Sequence, residues 1–254
     1  MSLDVVDLRE FYINQLGRMV RRLLRARIKR LWPEVRGETL MAVGYATPLL
    51  RPWLDEAGSL LVMMPVEQGA AYWPREGPNV TCLTTVEDLP LPDESVDRVI
   101  LMHALETAAE PETLLREIWR VLKGNGRALV IVPNRRGLWA HNYSTPFGTG
   151  QPYSASQLKR LLRDQGFLVE RIQHALFTPP FHTRLALAVA DVAERVGGWL
   201  FPGLGGLLLM EASKQIYAPI LTKSRVARHR LVLPLPFPVP SNPIPAGREV
   251  VRSS

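Results

Sequence analysis

The chain has 254 residues, of which 46% are hydrophobic and 22% are charged, and its formal net charge is +7. This composition is ordinary for a globular protein with one large core. A single cysteine, Cys82, excludes a disulfide framework and a multi-cysteine metal site, and no metal-ligand spacing links the histidines, so we predict no metal.

The N-terminal residues lack the charged and apolar regions of a signal peptide, which predicts a cytoplasmic protein. The most apolar stretch, residues 196–210, is too short to span a bilayer, so no transmembrane segment is predicted.

The positive charge is concentrated at the two ends of the chain. Residues 1–36 contain nine Lys or Arg against four acids, and residues 222–254 contain six against one. The region between them is net negative, which disfavours a nucleic-acid-binding domain. We therefore divide the chain into a basic segment (1–36), a central domain (37–221) and a basic tail (222–254).

The first segment has the pattern of an amphipathic helix. Its apolar residues recur at helical three-and-four spacing from Leu8 to Leu31, and most of its arginines lie on the other side. Either the apolar stripe packs on the domain and the arginines are solvated, or the basic face contacts an anionic surface or an acidic partner.

The tail contains six prolines between residues 225 and 254 and almost no acid. Proline has no backbone donor, so a long helix or sheet is excluded and an extended or disordered segment is expected. The alternative is a polyproline helix lying in an apolar groove, either in this protein or in a protein partner.

Strand and helix patterns alternate through the central domain. Nearly continuous apolar runs predict five strands, at residues 38–43, 59–64, 79–83, 97–102 and 126–132. Further patterns predict helices from Pro111, over 153–166 and over 181–200, a sixth strand from Phe167 and a seventh from Gly206. Apolar strands separated by helices indicate an α/β fold with a doubly wound, seven-stranded, mostly parallel sheet and helices on both faces.

Residues 87–134 contain an ordered series of short motifs. An acid pair and Leu-Pro precede the fourth strand, Asp97 opens it, His-x-Leu-Glu follows it, and Arg-Val-Leu-Lys-Gly-x-Gly leads into the fifth strand. This series resembles the second half of class I S-adenosylmethionine-dependent methyltransferases, especially the type 11 group. Weaker similarity extends over roughly residues 38–218. The resemblance implies a Rossmann-like fold and S-adenosylmethionine as the cofactor.

The turn after the first strand departs from the family pattern. The family usually has Gly-x-Gly-x-Gly, which lets the backbone approach the amino acid end of the cofactor, whereas this chain has Gly44, Tyr45, Ala46, Thr47 and Pro48. An acid usually found two residues before the first glycine is replaced by alanine. Pro48 has no N–H to donate, although it suits the first turn of a following helix. The cofactor motif is therefore degenerate.

The resemblance also assigns candidate residues to the other parts of the cofactor. Glu67 is the nearest carboxylate after the second strand, where the family binds the ribose, and the alternative is a solvated turn residue. Asp88, followed by Leu89, holds the position that usually takes the adenine amino group, and the alternative is a helix or turn cap. Tyr12 lies in a lead-in segment that some members place over the cofactor.

His103 follows the fourth strand at the expected crevice. It could take a proton from an acceptor hydroxyl near neutral pH, which makes it the candidate catalytic base, and the alternative is a packed crevice residue. The long loop at 133–154 borders the acceptor pocket in the resembled fold, and its rings predict a substrate lid. The alternative is that these rings fill the crevice and no substrate binds. These rings are Trp139, His141, Tyr143, Phe147 and Tyr153.

Two functions from different classes remain open. The first is an S-adenosylmethionine-dependent methyltransferase acting on a small-molecule or lipid-like acceptor. The second is a catalytically inactive relative that binds a protein partner or an anionic surface through its basic helix or its tail. The missing acids after strands one and two favour the second, and the motif series at 87–134 is compatible with both.

Overall fold

Seven strands form one sheet in the order β3-β2-β1-β4-β5-β7-β6. The computed structural model describes residues 3–180, 190–200 and 203–214. The strands are β1 Thr39–Gly44, β2 Ser59–Pro65, β3 Thr81–Thr84, β4 Val96–Met102, β5 Leu122–Pro133, β6 Phe167–Ala175 and β7 Leu207–Lys214. Strands β1 to β5 pair in parallel, and β7 runs antiparallel to both β5 and β6. The predicted mostly parallel sheet is confirmed. The predicted tail lies outside the described residues.

Helices cover both faces of the sheet. They are α1 Val5–Ile13, α2 Gln15–Leu31, α3 Thr47–Leu50, α4 Pro111–Val121, α5 Ala155–Asp164 and α6 Ala190–Leu200. Apolar side chains of α1, α2 and α3 pack in one core cluster with one face of the sheet, and those of α4 and α5 pack in a second cluster with the other face. The predicted helix at 181–200 is described only from Ala190 onward. No helix within the described ranges is long and apolar enough to cross a membrane.

The N-terminal segment forms two helices where the periodicity predicts one. The break falls at Asn14, whose side chain accepts a hydrogen bond from the backbone N–H of Gly17 at 2.8 Å and caps α2. A side chain at Gly17 would collide with the backbone carbonyl of Phe11. The break therefore lets α1 pack closely beside the start of α2.

The apolar stripe of α2 is buried against the sheet. Leu16, Val20, Leu24 and Ile28 are fully buried, so the prediction that this stripe packs on the domain is confirmed. Burial of such side chains is the main source of helix stability in a folded protein. Because this face of α2 is buried, the arginines on its other face are held at defined positions on the surface of the domain.

The central strands are apolar on both faces because helices cover both sides. From Leu40 to Gly44, every residue of β1 is buried, and so are the last four residues of β4. Their parallel pairing, in which Gly44 lies opposite Met102, brings the carboxyl ends of the two strands together. A ligand crevice in an open α/β sheet is expected at this edge.

Candidate functional site

The turn after β1 requires glycine at its first position. Gly44 has φ +80°, and a side chain there would collide with the carbonyl of Met102 at the end of β4. The chain then enters α3, with Pro48 in the first turn of that helix as the sequence predicted. The positive φ and the close approach of the protein's own β4 together account for the glycine.

An aromatic cluster covers this edge of the sheet. It consists of Phe11, Tyr12, Tyr45, His103 and Phe147, all of them buried. The ring of Tyr12 stacks on that of Tyr45 with centroids 5.8 Å apart, and the His103 ring lies 4.9 Å from that of Phe147. Helix α1 thus supplies two of the five rings that lie over the carboxyl ends of β1 and β4.

A chain of polar contacts runs through the cluster. The hydroxyl of Tyr12 lies 2.9 Å from Nε2 of His103, and Nδ1 of His103 lies 3.5 Å from Oε1 of Glu106. Tyr12 and His103 are 3% and 1% exposed. When the imidazole is neutral and Nε2 accepts from the phenol, its proton is on Nδ1 and faces the carboxylate. His103 therefore has a partner on each ring nitrogen.

Burial keeps the cluster's phenols protonated. Burial raises the pKa of Tyr12 well above its usual range, and the nearby Tyr45 and Glu106 raise it further. The pKa of Tyr45 is also raised by burial, although a hydrogen bond to Thr47 and the charges of Arg9 and Arg75 oppose the increase. Tyr12 is thus a neutral donor at physiological pH.

Gln68 connects three elements around His103. Its side-chain amide donates to the backbone carbonyl of His103 at 2.9 Å, and the backbone carbonyl of Gln68 accepts from the backbone N–H of Val5 at 2.8 Å. The loop after β2, the end of β4 and the start of α1 are therefore held together by one residue.

A small acidic pocket lies beside the cluster, at the carboxyl ends of β2, β3 and β4. Its volume is about 270 Å³, and its polar lining includes Glu67, Gln68, Glu87 and Glu106 but no lysine or arginine. Oε1 of Gln68 and Oε2 of Glu106 are buried and have no hydrogen-bond partner within the described chain. A buried acceptor without a donor is costly, so these two oxygens indicate a place for a ligand's hydrogen-bond donors.

The two carboxylates predicted to hold the cofactor differ in position. Glu67 is exposed but lines the acidic pocket, whereas Asp88 is exposed and is absent from its lining. The neighbouring Glu87 lines the pocket in place of Asp88. Leu89 is buried, and its backbone N–H donates to Glu117 at 3.0 Å.

A larger basic cleft lies on the other side of the aromatic cluster. Its volume is about 880 Å³, and it lies between α1, α2, the start of α3 and the loop after β2. The rings of Tyr12 and Tyr45 form part of its wall. Five arginines line it, and no acid does: Arg9, Arg21, Arg25, Arg51 and Arg75.

The predicted lid residues are dispersed. Phe147 belongs to the aromatic cluster, and the Trp139 indole donates to the Thr178 carbonyl at 2.8 Å in the buried core. Tyr153 is buried, and burial together with Glu106 raises its pKa to about 12. His141 and Tyr143 are exposed. The loop thus brings one ring of the five into contact with His103.

The sequence pattern did not assign a role to Phe11, Gln68, Glu87 or Glu106. Glu106 was visible as the acid of the His-x-Leu-Glu motif, three residues after His103, and Gln68 directly follows Glu67. Phe11 had no signal beyond helical periodicity, because its role depends on how α1 crosses the sheet.

Comparisons with known proteins agree with this architecture. A family model described as a methyltransferase domain, of the type 11 group, matches residues 43–130. A Mycobacterium tuberculosis protein named as a probable S-adenosylmethionine-dependent methyltransferase is 37% identical over 83 residues, which is 32% of this chain and 30% of the relative. The chain spans only about a third to a half of the length of the curated relatives it matches.

Solved structures share the fold at low sequence identity. A methyltransferase structure from Thermotoga maritima aligns with a TM-score of 0.61 and 19% identity, over 83% of this chain and 96% of that one. A methyltransferase structure from Archaeoglobus fulgidus aligns with a TM-score of 0.53 and 17% identity, over 76% and 94% of the two chains. Residues 43–130 thus match the methyltransferase domain of the type 11 group, and the sheet order agrees with the methyltransferase fold of these structures, with a degenerate turn after β1.

Proposed function

We propose that this protein is a methyltransferase that uses its acidic pocket to bind S-adenosylmethionine, the cofactor its family implies, and methylates a small-molecule or lipid-like acceptor. One observation carries the proposal. Two residues that line the pocket at the carboxyl ends of β2, β3 and β4 each have a buried oxygen, Gln68 Oε1 and Glu106 Oε2, that lacks a donor among the described residues.

The hydrogen-bond donors of the cofactor's nucleoside half fit the acceptors that line the acidic pocket. A ribose diol and an adenine amino group donate hydrogen bonds, and carboxylates and an amide oxygen accept them. Glu67, Gln68, Glu87 and Glu106 would hold the nucleoside, and their negative charge also favours a cationic ligand.

The region above Gly44 is covered by the aromatic cluster. A ligand group that reached Nε2 of His103 would have to displace Tyr12, whose hydroxyl bonds it. Tyr12 belongs to α1, so the proposed step that opens the crevice is a movement of α1. This movement would also break the hydrogen bond between Val5 and Gln68, which joins the start of α1 to the loop after β2.

When bound, S-adenosylmethionine supplies a methyl group on a positively charged sulfur. The protein's role is then to position the acceptor, to exclude water and to accept the proton that the acceptor loses. Once Tyr12 has left, Nε2 of His103 is free to take a proton from an acceptor hydroxyl. The Glu106 carboxylate facing Nδ1 would stabilise the resulting imidazolium.

Calorimetric titration with S-adenosylmethionine and S-adenosylhomocysteine tests the proposal. The Glu106→Gln variant keeps the shape of the side chain but removes its charge, and we expect it to weaken binding by about tenfold to a hundredfold, the usual worth of a hydrogen bond to a charged group. Asp88→Asn is the matched control, because Asp88 lies outside the pocket lining, and it should bind like the wild type.

The noncatalytic alternative is supported by the closed aromatic cluster and by the departures at the turn after β1. Undetectable binding of both ligands at about millimolar concentration, a free energy weaker than about −4 kcal/mol, would reject the methyltransferase proposal in favour of this alternative. Binding that falls in Asp88→Asn and not in Glu106→Gln would instead move the nucleoside away from the acidic pocket.

A further inference from the structure

The basic cleft gathers five arginines without an acid in its lining. In the part of the chain that the structure describes, none of Arg9, Arg21, Arg51 and Arg75 has an ion pair or a hydrogen bond to a carboxylate, and no acid lines the cleft. Two basic side chains of α2 that lie outside the cleft are paired: Arg27 with Glu194 at 2.7 Å and Lys29 with Glu56 at 2.7 Å. The cleft therefore concentrates positive charge that no acid in its lining neutralises.

The guanidinium groups at one end of the cleft are close enough to repel one another. Arg25 is oriented by a hydrogen bond from Nε to the carbonyl of Pro48 at 2.7 Å. Burial lowers its pKa, and the charges of Arg21 and Arg51 lower it further. An anion bound among these three arginines would remove that repulsion.

The other end of the cleft also has positive charge beside an aromatic wall. Arg9 of α1 and Arg75 of the loop after β2 are near enough to the Tyr45 hydroxyl to oppose the increase in its pKa. Arginines from several elements around one cavity of about 880 Å³ thus present positive charge to it. This arrangement suits a group with more than one negative charge.

Apolar side chains line the same cleft and remain exposed to solvent. Val6, Ile13 and Tyr72 are 64%, 58% and 61% exposed. Exposed apolar groups next to fixed charges are typical of a binding site for a ligand with an apolar part and a charged head.

We propose that the basic cleft is a binding site for a phosphate group. Arg21, Arg25 and Arg51 would hold the phosphate oxygens, because the planar guanidinium fork matches phosphate geometry and remains charged at all physiological pH values. Val6, Ile13 and Tyr72 would contact the apolar part of the ligand. The phosphate is either the headgroup of a lipid or part of a soluble molecule. This site is separate from the acidic pocket and does not depend on the proposed methyltransferase activity.

Two binding measurements on the full chain distinguish the sources of the phosphate. The first is calorimetric titration with inorganic pyrophosphate. The second is co-sedimentation with phosphatidylcholine vesicles that contain phosphatidic acid, compared with vesicles of phosphatidylcholine alone. Both are carried out at equal ionic strength, because surface charge effects are screened by salt.

The test variants are Arg21→Gln and Arg51→Gln, and Arg18→Gln is the matched control. Arg18 is an exposed residue of α2 that does not line the cleft, so it has the same charge and the same helix without the site. We expect each cleft variant to weaken binding by about tenfold or more, and the control to match the wild type. Thermal unfolding verifies that all three variants are folded.

Loss of pyrophosphate binding in the cleft variants alone supports a soluble phosphate ligand. Loss of vesicle binding in the cleft variants alone, without pyrophosphate binding, supports a lipid headgroup, and Ile13→Ser should then also reduce vesicle binding. Binding to neither probe overturns the proposal, and so does an equal loss in Arg18→Gln, since that result would reflect net charge alone.

Discussion

The acidic pocket and the basic cleft lie on opposite sides of one buried hydrogen bond. The pocket has three glutamates in its lining and no cation, whereas the cleft has five arginines and no acid. Tyr12 lines the cleft, its hydroxyl bonds His103, and His103 faces Glu106 in the pocket. The formal net charge of +7 therefore does not describe the local charge, because the two sites have opposite signs and each suits a different ligand.

The two sites also differ in what supports them. The pocket is built from loops at the ends of β2, β3 and β4, so its walls depend on the sheet. The cleft depends on helices α1 and α2, which are held to the sheet by buried apolar side chains. Substitutions can therefore disturb one site while leaving the other in place.

The largest effect is expected from removing apolar contacts beneath the cleft. Leu24→Ala, in the fully buried stripe of α2, should lower the free energy of unfolding by about 3 kcal/mol through lost burial and the resulting cavity. Urea unfolding followed by tryptophan fluorescence measures it. The exposed Leu138→Ala is the control and should change stability by less than about 0.5 kcal/mol. Equal losses in the two variants would show that α2 does not pack as described.

The next effect concerns pH and the residue that separates the two sites. The pKa of Tyr12 is raised in the folded protein, so above about pH 10 the unfolded chain loses a proton that the folded chain retains. Stability from this residue is complete below that pH and is lost as pH rises toward the folded pKa. Tyr12→Phe should make the decline shallower by up to about 1.4 kcal/mol per pH unit.

Chemical denaturation at a series of alkaline pH values measures this slope. Tyr45 and Tyr153 also have raised pKa values and should maintain part of the decline in the variant. Tyr143→Phe, at an 85% exposed position, is the control for the substitution itself. A slope unchanged by Tyr12→Phe would mean that the phenol is not buried in solution.

A smaller effect of the same substitution is expected at neutral pH. Tyr12→Phe leaves Nε2 of His103 without its partner in a buried site, which should cost about 1 to 2 kcal/mol. Because α1 would be held less firmly over the crevice, binding of S-adenosylhomocysteine should become tighter while stability falls. Unfolding and calorimetry on the same sample measure both. A variant that loses stability without a gain in binding would contradict the covering role of Tyr12.

The smallest effect contrasts two arginines of α2. Arg21→Gln relieves repulsion in the cleft and should raise the free energy of unfolding by up to about 0.5 kcal/mol at low salt. Arg27→Gln removes the partner of Glu194, a largely buried carboxylate, and should lower it by about 1 kcal/mol or more. Thermal unfolding at two salt concentrations measures both. Loss of stability in Arg21→Gln would indicate that the cleft contains a counter-charge.

Much of the fold could be predicted from local patterns. The strand order along the chain, the helix beginning at Pro111 and the motif series from Glu87 to Asn134 follow from apolar periodicity and turn chemistry, which act over a few residues. The break at Asn14 was missed because periodicity continues across it. Only the contact between Gly17 and the Phe11 carbonyl, together with the cap by Asn14, separates α1 from α2.

The candidate site was predicted in part. Tyr12, Tyr45 and His103 do come together, and Glu67 lines the acidic pocket. Asp88 and most of the predicted lid residues lie elsewhere, because the side of a loop that faces a pocket depends on how the loop packs. Glu87 and Asp88 are adjacent, and no local signal distinguishes which of the two points inward.

The sequence by itself determined the type of sheet, the resemblance to methyltransferases and the excess of positive charge near the N-terminus. These properties depend on the spacing of apolar residues and on composition, and both can be read along the chain. The tertiary structure alone decided that Tyr12 covers His103, and that arginines from α1, α2, the turn after α3 and the loop after β2 converge on one cleft. Contacts between residues as distant as Tyr12 and His103 arise only when helices pack on the sheet, because burial of apolar faces, rather than any local pattern, sets where each helix lies.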